Sequence, residues 1–401
     1  MTEPLRILTT EVQPWRLLQE RAEADLGFPL VFIEQDFVSA QRTAAVAPAS
    51  YDIYDQCFHN LDIVWNWRAI QSIETKRITH WNDLDDLTRT PRPRAPHGMG
   101  TGLGDAPASR LYVQQDSTLS SSPTGRISML PTFYNFDSFA VETTGIDVDR
   151  EITSWAELLN PRWAGRVAFV DEPAIGPFDL AMALAAAGEM EFADMGNMTV
   201  AEIDQMAGHA ERLILSGHLN RFWRHADEPV ARFRTGELKI SSIWSPTMVA
   251  MKRQGIGVRQ ARPVEGYRAW HGGMCLARHL TGSRLDQAYA WLNWYLDGYA
   301  GTVVTRQGYY MSAFEPVRAL MPAAEWDYWY EGLPAAQDLP DVNGAPAIVK
   351  GSTRSGGSFR SRARHIAIWN STMDEHNYLV RRWNEIVALA EAKNRPSRRA
   401  S

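Results

Sequence analysis

Residues 153–188 read TSWAELLNPRWAGRVAFVDEPAIGPFDLAMALAAAG and decide the fold. Ser154 caps a short helix and Glu157 stands at its third position, the spacing of a capping box, before Asn160-Pro161 ends it. Gly165 turns the chain into Arg166–Val170, a β-branched and aromatic run of the kind that forms a buried parallel strand. Asp171, Glu172 and Pro173 follow as an acidic loop. Pro177 suits the first turn of a second helix, and Gly188 is placed to stop it. In open α/β sheets ligands bind beyond the carboxyl ends of strands and near helix N-termini, where 171–177 would lie.

Working outward toward the amino end, Leu5–Thr9, Pro14–Leu26 and Leu30–Ile33 give a strand–helix–strand opening, with Thr10 and Glu11 directly beyond the first strand. A third strand, Asp52–Tyr54, leads into Asp55, Gln56, Cys57, Phe58 and His59. Residues 88–131 read as mostly loop, with short strands at Arg110–Val113 and Ile127–Leu130. The GMGTGLG run at 98–104 follows Pro96-His97 rather than a strand and lacks a Lys-Ser/Thr end, so it is a poor phosphate cradle. Phe133–Val141 is extended and aromatic, suited to cross into a second lobe.

Toward the carboxyl end, Thr199 and Glu202 form a capping box for a helix to about Leu215. Leu238–Trp244 is a strand ending on Trp244 and Ser245. Pro263–Met274 carries Tyr267 and Trp270 and then Gly272-Gly273, a hinge or a bulge. Tyr309 and Tyr310 adjoin Gly308 in a turn, which predicts at least one presented phenol. Residues 335–364 read as loop, with the arginines of 354–364 solvated. The last helix lines Leu379, Trp383, Ile386, Val387 and Ala390 on one face. His209, His218 and His225 fall on different faces of a helix and a loop, which argues against a metal set.

At 401 residues the chain exceeds one typical core and predicts two lobes. Apolar residues at 45% and charged residues at 22% are ordinary for a globular protein, but 15 Trp and 13 Tyr are not, and such an excess suits a cleft walled by aromatic faces. A net charge of −6 with no basic stripe excludes a nucleic-acid reader. The two cysteines, Cys57 and Cys275, exclude a disulfide scaffold and read as buried thiols in preference to a single bridge. No apolar run is long enough to span a bilayer. An enzyme on a two-lobed architecture is the rival class. No Gly-x-Ser-x-Gly, His-Glu-x-x-His or phosphate loop occurs, and neighbouring Asp171 and Glu172 point apart when extended, so no catalytic set and no cofactor is expected.

The stretch SWAELLNPRWAGRVAFVDEP resembles the polyamine-binding (spermidine/putrescine) branch of the bacterial extracellular solute-binding proteins that serve ABC importers. Tyr51-Asp52-Ile53, Thr10-Glu11, Trp244, Trp270 and the GYYMS run at 308–312 extend the resemblance over most of the chain. It implies a type II periplasmic-binding-protein fold: two α/β lobes, 1–137 plus 273–310 and 138–272 plus 311–401, closing by a hinge on a solute. It also implies a monomeric periplasmic receptor that hands its solute to a membrane permease and its ATPase, with an export segment upstream of Thr2. Carried onto this sequence, the ligand-binding set is Thr10, Glu11, Phe58, Asp171, Trp244, Trp270 and Tyr309, in which rings hold methylenes and carboxylates hold ammonium ends. Gly272 stands where the family commonly has an acid, and Ala174-Ile175-Gly176 replaces its second loop carboxylate. One strong ammonium site is therefore expected, and an anionic or neutral solute or tyrosine-bound ferric iron stays open as an alternative.

Overall fold

The computed structural model describes residues 3–10, 13–90, 103–104 and 108–394. Glu11, most of the glycine run and the Arg395–Arg399 tail lie outside them. Among the described residues no helix is long and apolar enough to cross a membrane. The chain forms two compact units, residues 1–93, 105–135 and 270–345 in the first, and 94–104, 136–269 and 346–401 in the second. It passes from one to the other within two strands, Leu130–Asp137 and Tyr267–Ala277, and again between Ala345 and Pro346.

In the first unit, Leu5–Thr9 pairs in parallel with Leu30–Glu34 and with Ile53–Cys57, and the last of these runs antiparallel to Gly272–Leu276. The third strand therefore extends to Cys57, past its expected end at Tyr54, because Asp55, Gln56 and Cys57 find partners in Met274, Gly273 and Gly272. That register is unbroken, so Gly272-Gly273 is not a bulge. The two glycines are there for space: a Cβ on Gly272 would stand 2.7 Å from the Phe133 ring, and one on Gly273 2.4 Å from the Leu130 carbonyl oxygen. Tyr310–Met311 pairs antiparallel with Phe133 and Tyr134. This brings residues 311–345, expected in the second lobe, into the first unit. Neither phenol of the Tyr309-Tyr310 pair is presented, since Tyr309 is 1% exposed and Tyr310 is fully buried.

The second unit holds a five-stranded sheet in the order Leu219–Trp223, Val167–Val170, Ile240–Ser242, Phe139–Glu142, Val258–Gln260. Its strand from the quoted stretch is parallel to both neighbours, as the run of buried β-branched and aromatic residues predicts. Ser154 caps a 3-10 turn through the Ala156 amide, but the capping box does not form there. The Glu157 carboxylate turns instead to Arg162 and to the Trp163 indole. At Thr199 and Glu202 the reciprocal box does form and opens the Val200–Leu215 helix. The last helix, His376–Asn394, buries the five residues expected and sets Trp383 edge-on to Phe222. Gly176 opens the Gly176–Ala186 helix because a Cβ there would meet both the Val170 carbonyl and the Trp383 ring. The 335–364 segment is less loop-like than expected, with Leu339–Pro340 and Pro346–Ile348 forming a two-stranded sheet and Phe359–Ala363 a helix. Arg362 is fully buried, donating to the Phe136 and Ser355 carbonyls, and is not a solvated loop residue.

Candidate functional site

Of the expected site residues of the first unit, Thr10 and Phe58 follow the carboxyl ends of two parallel strands, Leu5–Thr9 and Ile53–Cys57, and Glu11 lies outside the described residues. Leu5–Thr9 ends on Thr10, which is buried and accepts the Trp15 indole N–H at its carbonyl. Tyr267–Ala277 carries Trp270 against the pair Phe133 and Tyr309. The three rings form a triangle with centroid separations of 5.5 Å (Phe133–Trp270), 5.1 Å (Trp270–Tyr309) and 5.7 Å (Phe133–Tyr309). The Trp270 plane is nearly perpendicular to both others, so the rings pack edge to face, and all three are buried. Phe133 was not singled out in the sequence, although its place in the FYNFDSFAV run was. It fills the space over Gly272 that any side chain there would take.

Phe58 follows the third strand and lies fully within the unit, 4.3 Å centroid to centroid from the His271 imidazole, with the Arg110 guanidinium 5.5 Å from its ring. Burial, reinforced by electrostatic repulsion from His59 and Arg110, pushes His271 down to about 3. Arg110 pairs with Asp62, and desolvation lowers its pKa to about 10. Three residues before Phe58, Asp55 accepts from the Thr9 hydroxyl at 2.9 Å, and burial raises its carboxyl to about 7. Neither cysteine is in a disulfide and both are buried, as expected.

In the second unit Trp244 precedes the Ser245–Arg253 helix and packs edge-on to Trp223 at 4.8 Å. Asp171 is already engaged: its carboxylate accepts from Arg224 Nε at 2.5 Å and lines a cavity of about 570 Å³ with Arg221, Arg232, Glu228 and Glu391. Its neighbour Glu172 is held differently. Desolvation raises Glu172 to about 7, against the Ala174 amide and the charge of Arg268, which pull it down. Arg268 and Asp179 form an ion pair at 2.6 Å with no exposure on either side chain, and burial lifts Asp179 to about 6 despite its partner. Glu172, Asp179 and Asp137 thus surround one guanidinium. The Asp179 and Arg268 members could not be read from sequence, since they meet only through sheet and helix packing. His209 pairs with Glu189 and His218 with the Leu158 carbonyl. Among the described residues no group of three or more His, Cys, Asp or Glu could hold a metal ion.

No protein-family model and no curated protein matches the sequence. Solved structures match across nearly the whole chain. The spermidine/putrescine ABC transporter substrate-binding protein PotD of Streptococcus pneumoniae is 12% identical, with a TM-score of 0.62 over 98% of this chain and 99% of its own. The TpPotD lipoprotein of Treponema pallidum is 11% identical, at 0.62 over 96% and 99%. An ABC transporter substrate-binding protein from Bradyrhizobium japonicum is 11% identical, at 0.62 over 96% and 99%. These neighbours are transport proteins and not enzymes, and at such identities the likeness carries the fold. The chain has the two-lobed α/β fold of the substrate-binding proteins of ABC transporters.

Proposed function

We propose that the protein is the substrate-binding receptor of an ABC importer, working in the periplasm with a membrane permease and its ATPase, and that its solute is an organic amine. The observation that carries the ligand class is the Phe133–Trp270–Tyr309 triangle. Aromatic faces attract an organic cation by about 0.5–2 kcal/mol each and clad its methylenes, without any demand for a metal or a nucleophile. The residues proposed to touch solute are Thr10, Glu11, Phe58, Trp270 and Tyr309 of the first unit and Trp244 of the second. Glu172 takes the place of Asp171 as the second unit's carboxylate, because Asp171 is neutralised by Arg224 while Glu172 gains from a nearby cation by releasing the proton that burial holds on it. The ferric alternative is weaker, since Tyr309 packs on Trp270 whereas Tyr310 packs on Tyr134 and Tyr330.

A thermal-shift screen over polyamines, quaternary amines, amino acids, organic anions and ferric iron tests the reading. A ligand at one hundred times its Kd adds about 2.7 kcal/mol, which is readily seen. Amines are expected to stabilise the protein, and Trp270→Ala to abolish the shift. Stabilisation by anions or iron alone, turnover of the ligand, or an unaltered amine affinity in Trp270→Ala would reject it.

A further inference from the structure

We infer that the Leu30–Glu34 strand is a self-association edge: a second copy of this chain pairs with it antiparallel about a two-fold axis at Ile33, carrying the first unit's sheet from one molecule into the next. The inference is independent of the solute, and it departs from the monomer that the resemblance implies.

Leu30–Glu34 is the last strand of its sheet and pairs in parallel with Leu5–Thr9 on one side only. The Leu5 amide donates to the Pro29 carbonyl and the Gln35 amide to the Thr9 carbonyl, so Pro29, Val31, Ile33 and Gln35 turn their backbone groups inward, and Leu30, Phe32 and Glu34 turn theirs outward. Leu30 is closed by the helix Trp15–Leu26: its N–H donates to Glu23 and its carbonyl accepts from Gln19. Among the described residues the outward backbone groups of Phe32 and Glu34 meet no partner. The edge strand Leu219–Trp223 of the second unit is treated otherwise, since its Asn220 and Phe222 carbonyls accept from the Asn394 amide and the Arg232 guanidinium. An open edge presents donors and acceptors in register for another strand, and this one carries none of the lysine, proline or bulge that commonly blunts it.

The edge matches itself. With the axis at Ile33, Phe32 of each copy exchanges both backbone hydrogen bonds with Glu34 of the other, a register that uses the two open residues and leaves the closed Leu30 alone. Ile33 then faces Ile33 of the second copy at a non-hydrogen-bonded position, where side chains stand closest, and Val31, 42% exposed, lies on the same face. On the opposite face the helix Trp15–Leu26 stacks Trp15 on Phe32 and flanks the edge. Its Arg16 stands 3.8 Å from Glu34 at one end of the strand, and its Glu23 bonds Leu30 at the other. Because the two copies run in opposite directions, Arg16 of each comes opposite Glu23 of the other, giving an ion pair on either side of the axis. Arg16 is 89% exposed, and Glu23 bonds Gln19 and Leu30 through Oε1 alone, so Oε2 remains for it. An unrelated strand would have to bring the same order of charges, whereas a second copy carries it automatically, and this charge match selects the occupant.

Sedimentation velocity of the whole protein, from micromolar to several hundred micromolar, tests the edge. A reversible shift from one copy to two is expected, and Arg16→Glu, a change at an exposed position that leaves the core untouched, is expected to weaken it at least tenfold. The register is tested by cross-linking: Ile33→Cys treated with oxidised glutathione is expected to give a disulfide-linked dimer, and Val38→Cys, 62% exposed on the following helix Phe37–Val46, to give none. The native Cys57 and Cys275 are buried and do not compete. The sedimentation of the unmutated protein and of Arg16→Glu stands even if Ile33→Cys fails to fold. A protein that remains a single copy over the whole range overturns the proposal. So does a dimer that Arg16→Glu leaves unchanged, or one that Val38→Cys links as readily as Ile33→Cys.

Discussion

Asp52 and Asp55 flank the start of one strand and are driven in opposite directions by their surroundings. Burial alone would raise the Asp52 carboxyl, but hydrogen bonds from Arg6 and Arg284 outweigh it and hold the group down at about 2. Asp55 has only the Thr9 hydroxyl to offset burial and is raised to about 7. The signs for stability are therefore opposite. Asp52 contributes stability that is present above its unfolded pKa of about 4 and is lost as pH falls toward 2. Asp55 favours the fold while protonated, and its contribution is lost as pH rises from about 4 through 7. Asp55→Asn is expected to be close to neutral at pH 4, where the unfolded carboxyl is still largely protonated, and to stabilise the protein at pH 8, by about 1–3 kcal/mol after relaxation around the buried group. Urea unfolding at the two pH values checks it; an equal change in midpoint at both would count against this account. The sequence marked Asp55 as polar at a strand end, but burial by distant helices, which decides its charge, has no local signal.

The elements that were legible in advance are those whose signals are local. The Val167–Val170 strand, its flanking Gly165 turn and the Thr199–Glu202 box each depend on residues within a few positions, and each formed. Ser154 and Glu157 have the same spacing as Thr199 and Glu202. Glu157 nonetheless binds Arg162 and Trp163, because the chain tightens into 3-10 turns and brings those donors within reach. Tyr309-Tyr310 misled for a different reason: a glycine before a pair of tyrosines reads as a turn, yet the strand they enter pairs with Phe133 and Tyr134 and buries both. Strand approach also sets the demand at Gly272, whose backbone φ is not in the left-handed region, so the glycine serves space and not torsion. Gly272→Ala is expected to destabilise by about 1–3 kcal/mol through overpacking on Phe133. Combined with Phe133→Leu it should cost less than the sum of the two single changes, since the smaller side chain frees the space. Additive losses in chemical unfolding would show that the contact with Phe133 is not the cause.

For the molecule as a whole, the two-lobed class was legible from length and from the order of strands and helices, while the assignment of residues 311–345 was not. That segment is drawn to the first unit by the pairing of Tyr310–Met311 with Phe133–Tyr134, a match of residues far apart in sequence. The approach of Arg110 and His271 to the Phe58 ring was hidden in the same way. Tyr267–Ala277 lies between Leu130–Asp137 and Ile53–Cys57 in the sheet order. A chain ending before Tyr267 should therefore leave the first unit's sheet split, although more than half of its residues are present. Loss of a cooperative thermal transition and of near-ultraviolet tryptophan dichroism in such a truncation is the expected outcome; a sharp transition would show that the early strands fold without their partner.

The same strand imposes a schedule on synthesis. Gly272 pairs with Cys57, which left the ribosome more than two hundred residues earlier. At about 5–20 residues per second, Ile53–Cys57 waits on the order of 10–40 s for the strand that completes its ladder. Through that interval the apolar flank meant for Cys275 and Leu276 is open to chaperones, proteases and other nascent chains. The Ile53–Cys57 strand can therefore complete its ladder only once Gly272–Leu276 is present, whatever holds the chain until then.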